Sequence, residues 1–406
     1  MHVDKWCIRK STLLIFLSYW FVFIQLPYFP KSESSLLIKI STVITIVFLI
    51  PFVTRKILKK TFFSMNLLLL LFLIFIMISG VKNAGTLKTV YPSSSSFLIA
   101  ARIIGFFLLI EYLVEKQEIL NLISVYSTLT LILVIINDFL IIGFPGLTAS
   151  MNPLFFIGNK FSVVYSHLQL MALLMMKQSI ENGKWNRNII VGVAVLSAII
   201  SFKVECITGL IGLLLFIVFY ILISSTKRLV YNPVVFMAIL AGSSLFVVLY
   251  EVVLLNPYVQ TLITTVLKRS LTLTGRTYIY ANIFNVLKNH WLWGYGYGSS
   301  YEVCVKYLYY ADTQNGILEW ILQTGIFVTA IIIIIIILVL IKCSKNTFNR
   351  KKTISILALL YAFSILSSIE ITIDMNYFML LGILYGWSLQ SEDQNKYEEL
   401  PVYFKE

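Results

Sequence analysis

The sequence predicts an all-α polytopic membrane protein with about twelve transmembrane helices and one long extracytoplasmic loop carrying short interfacial helices. Three observations predict it. Of the 406 residues, 59% are hydrophobic and only 13% are charged, which is too little charge to cover the surface of a soluble protein of this size. Apolar runs long enough to cross roughly 30 Å of hydrocarbon recur along the whole chain, whose mean hydropathy is +0.88. Lysine and arginine, finally, concentrate in alternate connectors, which is how a polytopic chain records its orientation.

The first six spans fall at Ser11–Phe29, Ser35–Val53, Phe62–Gly80, Phe97–Val114, Ile119–Ile142 and Phe161–Met176. The remaining six fall at Ile189–Phe202, Cys206–Ser224, Val234–Leu255, Gly316–Ile341, Ile354–Ile369 and Met375–Leu389. Lys5, Arg9 and Lys10 precede the first run as in a signal peptide. No small-residue cleavage site follows, so the segment reads as an uncleaved span. Only Lys203 to Glu205 separate the seventh and eighth spans, and the isoleucines from Ile331 to Ile337 read as lipid-soluble filler.

Arg55, Lys56, Lys59 and Lys60 lie on one side with Lys116, Lys177, Lys184, Arg187, Lys227 and Arg228. Lys342, Lys345, Arg350, Lys351 and Lys352 join them. That side is cytoplasmic by the positive-inside rule, so both termini and the acidic tail 390–406 are expected inside the cell membrane. The net charge of +13 therefore reports topology, and nucleic acid is not an expected partner. The cysteines, Cys7, Cys206, Cys304 and Cys343, have no metal-ligand spacing and no disulfide framework. Cys206 and Cys304 would both lie near the outer face, where a pair can form. The chain reads as a single integral membrane domain, residues 1–406.

Three connectors face outward. Val81–Ser96 is serine-rich and reads as a flexible loop, while Gly143–Lys160 carries Pro145, Gly146, Pro153 and Gly158 as breakers. The loop 256–315 is the long one. It holds Lys268, Arg269, Arg276, Lys288 and Lys306 against Glu302 and Asp312, a cationic excess that suits an anionic ligand. Thr274 can cap a helix starting near Arg276, with Tyr280, Phe284 and Leu287 on one face for the membrane surface. Arg276 then sits at headgroup depth, where a guanidinium can grip phosphate bidentately. Gly294-Tyr295-Gly296-Tyr297-Gly298 lacks the strand–turn–helix context of a dinucleotide site, so it reads as a tight turn with tyrosines that can stack on sugar.

Asp312 or Thr313 can cap the next helix, and Asp312, Asn315, Glu319 and Gln323 follow on one face. A polar stripe entering the membrane must face protein or a water-filled cavity. Further ionisable groups sit toward the outer ends of their spans, among them Arg102, Asp138, Lys160, His167, Glu370 and Asp374, with Lys203 and Glu205.

The stretches FFIGNKFSVVYSHL (Phe155–Leu168), CITGLIGL (Cys206–Leu213), TGRTYIY (Thr274–Tyr280), and HWLWGYGYG followed by DTQNGILEWILQTG (His290–Gly325) resemble Wzy-type polysaccharide polymerases, relatives of the O-antigen ligases. The resemblance implies a GT-C-like architecture and a capsular or surface-polysaccharide polymerase that needs no metal or other cofactor. The growing chain would leave undecaprenyl pyrophosphate, with inversion, for the sugar hydroxyl of the next lipid-linked repeat unit. It implies a lipid-linked oligosaccharide substrate, with a flippase and a chain-length regulator as partners. Arg276, Lys160 and Arg102 would stabilise the leaving pyrophosphate, and Glu319 or Asp312 would serve as base. Gln314, Asn315, His167 and Tyr280 would complete the substrate site. Ligases carry a histidine where this chain has Gln314, which favours polymerase over ligase. A transporter or flippase is the rival from another class. It would show duplicated halves and polar groups at the midplane, whereas the Thr274–Gly325 pattern occurs once.

Overall fold

Backbone groups in hydrocarbon must be satisfied within the chain, so long apolar runs become helices. The computed structural model describes residues 10–23, 31–59, 64–147, 155–181, 187–225, 231–261, 264–265, 275–345 and 350–398. Its helices are α1 (Lys10–Phe23), α2 (Lys31–Leu58), α3 (Ser64–Lys82), α4 (Pro92–Glu115), α5 (Ile119–Gly143), α6 (Lys160–Glu181), α7 (Arg187–Lys203) and α8 (Ile207–Ser225). There follow α9 (Pro233–Ser244), α10 (Phe246–Leu254), α11 (Pro257–Thr261), α12 (Arg276–Leu287), α13 (Ser300–Leu308), α14 (Gly316–Lys345), α15 (Arg350–Leu366) and α16 (Met375–Glu398). Among the described residues no strand forms beyond an isolated bridge between Phe155 and Gly158.

Helix stands at the described residues of each predicted span, and residues 24–29 of the first lie outside the described residues. Among the described residues six helices are long and apolar enough to cross a membrane: α2 from Leu36, α3, α4, α5, α8 and α14. The predicted ninth span is broken: α9 and α10 meet at 62°, and a seventh span results if the pair is counted as one. Helices α1 and α7 are apolar but short. Helices α6, α15 and α16 fall outside that count, which rests on length and composition alone, and they are interior. α15 packs against α6, α8, α9 and α16, and α16 against α4 and α14. Residues 375–389 of α16 are almost wholly buried, so protein rather than lipid surrounds their polar groups.

Three expectations change. The serines before Phe97 belong to α4, which starts at Pro92, a residue pre-shaped for the first helical position. Much of the isoleucine run is core: Ile331, Ile332, Ile335 and Ile336 are buried while Ile334 is exposed. Cys206 and Cys304 are buried, lie in different clusters and form no disulfide with each other.

Chain direction places the cationic ends together. α14 runs toward Lys342 and Lys345, α15 starts at Arg350, and α2 ends at Arg55 and Lys56. At that end Glu111 of α4 accepts from Lys56 Nζ at 2.7 Å, Asn66 Nδ2 at 3.0 Å and Tyr385 Oη at 2.9 Å. The opposite end holds the N-termini of α4, α6, α14 and α16, the C-terminus of α15, and the loop helices.

Candidate functional site

The connector between α15 and α16, residues 367–374, is the centre of that opposite end. Its carbonyls would be orphans at the end of α15, and residues from the long loop satisfy them. Gly316 N donates to Ser367 O at 2.8 Å and Trp320 Nε1 to Ile373 O at 2.7 Å. Tyr280 Oη bridges Ser368 O at 2.8 Å and Gln314 O at 2.9 Å. Arg276 Nε donates to Ile369 O at 2.9 Å, and its Nη2 pairs with the Glu370 carboxylate. The loop and the connector are thereby one unit.

A second junction fixes the glycine turn. Gly325 has φ 82° and ψ 176°, which interrupts α14. The break leaves Leu322 O to accept from Tyr295 N at 2.8 Å and Ile326 N to donate to Trp291 O at 2.9 Å. A Cβ at Gly325 would lie 2.1 Å from Leu292 O, so no other residue lets the turn dock this closely. The part of α14 beyond the break, 326–345, is about 30 Å long and can span hydrocarbon alone.

Between these anchors lies a cavity of about 380 Å³, within the usual range for a small-molecule site. Arg102 of α4, Tyr165 and Gln169 of α6, Tyr297 of the glycine turn, and Asp312, Glu370 and Asp374 contribute its polar wall. Arg102 Nε donates to Phe21 O at 2.7 Å, which holds its guanidinium to α1. Asp374 caps α16, its Oδ1 accepting from Asn376 N at 3.0 Å and Tyr377 N at 3.2 Å. Tyr165 Oη and Asn376 Oδ1 are buried without a hydrogen-bond partner among the described residues. Two unfulfilled polar atoms in one cavity wall mark it as a place where a polar ligand has bonds to gain.

The residues singled out from sequence divide in two. Arg102 and Asp312 line the cavity. Arg276 is one contact behind it through Glu370, and Lys160, flanked by the lining residues Asn159 and Phe161, holds its ammonium 5.5 Å from the Phe161 ring centroid. Gln314 has a left-handed φ of 52° and donates from N and Nε2 to Asp312 Oδ1 at 2.9 and 2.6 Å, so it positions that carboxylate.

Of the others, Asn315, Glu319, His167 and Tyr280 do not line the cavity and are bonded within the protein. Asn315, rather than Asp312 or Thr313, caps α14, accepting from Ile317 N and Leu318 N at 3.1 and 3.0 Å, and its Nδ2 reaches Ser368 O. Glu319 is buried and saturated by Thr313 N, Thr313 Oγ1 and Gln323 Nε2. His167 is fully buried against Asp138 at 2.8 Å. Tyr280 is used up on two carbonyls. Helix α12 buries Ile279, Tyr280, Ile283 and Leu287 against α10 and α13, so its apolar face is turned toward protein and Phe284 is left 39% exposed. Gly275 with φ 90°, not Thr274, stands at its N-cap, and Thr274 lies outside the described residues. Lys203 and Glu205 form an exposed turn between α7 and α8.

Sequence reasoning missed the role of Glu370 and Asp374, which it saw only as outer polar groups. Their spacing of four, in a connector with no other charged residue between two spans, was the available signal.

Fold and site together define an integral membrane protein whose polar chemistry is gathered at one end of a helical bundle. Residues 192–333 match the family model described as O-Antigen ligase. Searches of curated proteins and of solved structures found no match.

Proposed function

We propose that the chain is a polysaccharide polymerase acting at the outer face of the cell membrane on undecaprenyl-pyrophosphate-linked repeat units, in capsule or surface-polysaccharide synthesis. The acceptor sugar hydroxyl attacks the anomeric carbon of the growing chain, the bond from that carbon to pyrophosphate breaks with inversion, and the hydroxyl proton passes to a carboxylate. Asp312 is that base. It lines the cavity, Gln314 fixes it, and both of its hydrogen bonds among the described residues fall on Oδ1. Arg102 and Arg276 stabilise the charge that develops on pyrophosphate, a role for preorganised cations in a water-poor site. Arg276 reaches it by exchanging Glu370 for phosphate oxygens. The reading is carried by one observation: Arg102 and Asp312 share a cavity wall with Arg276 one contact away.

Purified protein in liposomes with lipid-linked repeat units tests it. Ladders of polymer on the lipid carrier are expected. Transfer onto a different acceptor without self-extension would indicate a ligase. Movement of intact lipid-linked units across the bilayer, with no new glycosidic bond, would indicate a flippase.

A further inference from the structure

The outer loop holds a second concave site that the reaction above does not use. A cleft of about 420 Å³ is lined by Asn282, Asn285, Asn289, His290, Tyr295 and Tyr307. The asparagines follow i, i+3, i+7, so they share one face of α12 and its continuation. The opposite face buries Ile279, Ile283 and Leu287, which fixes the helix rotation and turns the amides out. The His290 and Tyr295 rings stack with centroids 3.8 Å apart, and Tyr295 Oη donates to Val286 O at 2.8 Å, so the ring pair is held rigid. Tyr307, on α13, is 45% exposed.

The chemistry of the wall selects a ligand class. Among the described residues it has no carboxylate, lysine or arginine. The neighbouring cleft, which shares Asn289 and His290, has Lys82 and Lys288 instead. An anion would be drawn to that neighbour. Amide side chains offer a donor and an acceptor at once, which matches a hydroxyl, itself both donor and acceptor. Aromatic faces suit the C–H faces of a sugar ring. Asn282 Nδ2 is held by Tyr278 O at 2.9 Å, while Asn285 and Asn289 are exposed.

We propose that this cleft binds the glycan chain itself, as an uncharged, hydroxyl-rich segment several sugars beyond the reacting one. The proposal rests on the reaction assigned above. Arg276 begins α12 and Asn285 lies nine residues on, roughly 14 Å along the same axis. A chain whose reducing end occupies the cavity can follow that helix to the cleft. At each transfer the chain leaves one lipid carrier and acquires another. A grip on its sugars keeps it at the site during that exchange, at an effective concentration on the order of mM. The cleft is thus a determinant of product length.

Sized oligosaccharides, released from the source organism's surface polysaccharide by partial acid hydrolysis and carrying no lipid, are titrated onto the protein in nanodiscs. Affinity is expected to rise with length. The exposed double variant Asn285→Ala/Asn289→Ala is expected to bind about tenfold more weakly, the scale of one or two lost hydrogen bonds, and to make shorter polymer. Asn289→Trp fills the cleft without removing a buried contact and should act alike. Binding by both variants equal to the parent, or no binding by the parent at any length, overturns the proposal. Binding without polymerisation of lipid-linked units removes the reaction and keeps the site, whereas polymerisation without binding does the reverse.

Discussion

Arg276 and Glu370 form a largely buried pair, with 15% and 6% of their side chains exposed. Removing one partner of such a pair leaves a charge uncompensated and typically costs about 3–5 kcal/mol, so a dead Arg276→Ala protein is ambiguous by itself. Arg276→Ala/Glu370→Gln removes the orphaned charge. That double variant is expected to regain most of the lost melting temperature yet stay roughly 10²–10³-fold slow in polymer formation, the scale of one preorganised donor. Arg276→Lys should recover only part of the rate, because a point charge cannot reproduce a bidentate fork. A double variant with normal activity would leave Arg276 a structural residue. Asp312→Asn keeps the shape of the Gln314 contact and removes the base, so its rate of polymer formation is expected to fall by roughly 10²–10⁴ at unchanged melting temperature. A normal rate would point to another carboxylate. Arg102, Arg276 and Asp312 were legible in sequence because isolated charges stand out in an apolar chain. The partner of Arg276 was not: Glu370 is 94 residues away, and no local pattern records that distance.

At the scale of elements, the glycine turn and α14 were both legible but their junction was not. Gly325 stands inside an apolar run that reads as continuous helix, and only the approach of Leu292 O shows why it cannot be another residue. Gly325→Ala forces an alanine into backbone space that is close to glycine-only, at about 1–3 kcal/mol before the clash is counted. A lowered melting temperature in detergent is expected, with faster exchange at the Tyr295 and Ile326 amides. Unchanged exchange at both would mean the turn does not depend on the break. The serine-rich connector is likewise tied down, because the Glu302 carboxylate of α13 accepts from Lys88 N at 2.7 Å, Thr89 N at 3.0 Å and Thr89 Oγ1 at 2.6 Å. These bonds favour the charged form and hold the Glu302 carboxyl below its ordinary value. The sign follows: a carboxyl lowered on folding contributes stability above its unfolded value and loses it as pH falls through the lowered one. Protection of the Lys88 and Thr89 amides should therefore be full near neutrality, lost on acidification, and absent at all pH in Glu302→Gln. Protection that persists in Glu302→Gln would assign the docking to other contacts.

For the whole molecule, the positive-inside pattern and the helix directions agree on which end carries the cavity. Arg350 opens α15 and Glu370 follows its last turn, while Gly316 opens α14 and Lys345 closes it. The cavity and the cationic connectors must therefore lie at opposite ends, whichever way the protein sits in the membrane. Hydropathy marked where the helices α6, α15 and α16 lie but not that they are interior and packed mostly against protein, because it scores residue types and not neighbours. Orientation decides the substrate: a cavity on the outer side meets lipid-linked units after their translocation, and one on the inner side meets them before. Two exposed positions report it without disturbing the core, Tyr301 on α13, 67% exposed, and Leu58 at the end of α2, 78% exposed. In a background free of native cysteines, Tyr301→Cys in intact cells stripped of their wall or outer membrane is expected to react with a membrane-impermeant maleimide. Leu58→Cys is expected to react only after permeabilisation. The reverse pattern would put the cavity in the cytoplasm and remove any polymerase that works on translocated units, whatever the chemistry of Arg276 and Asp312.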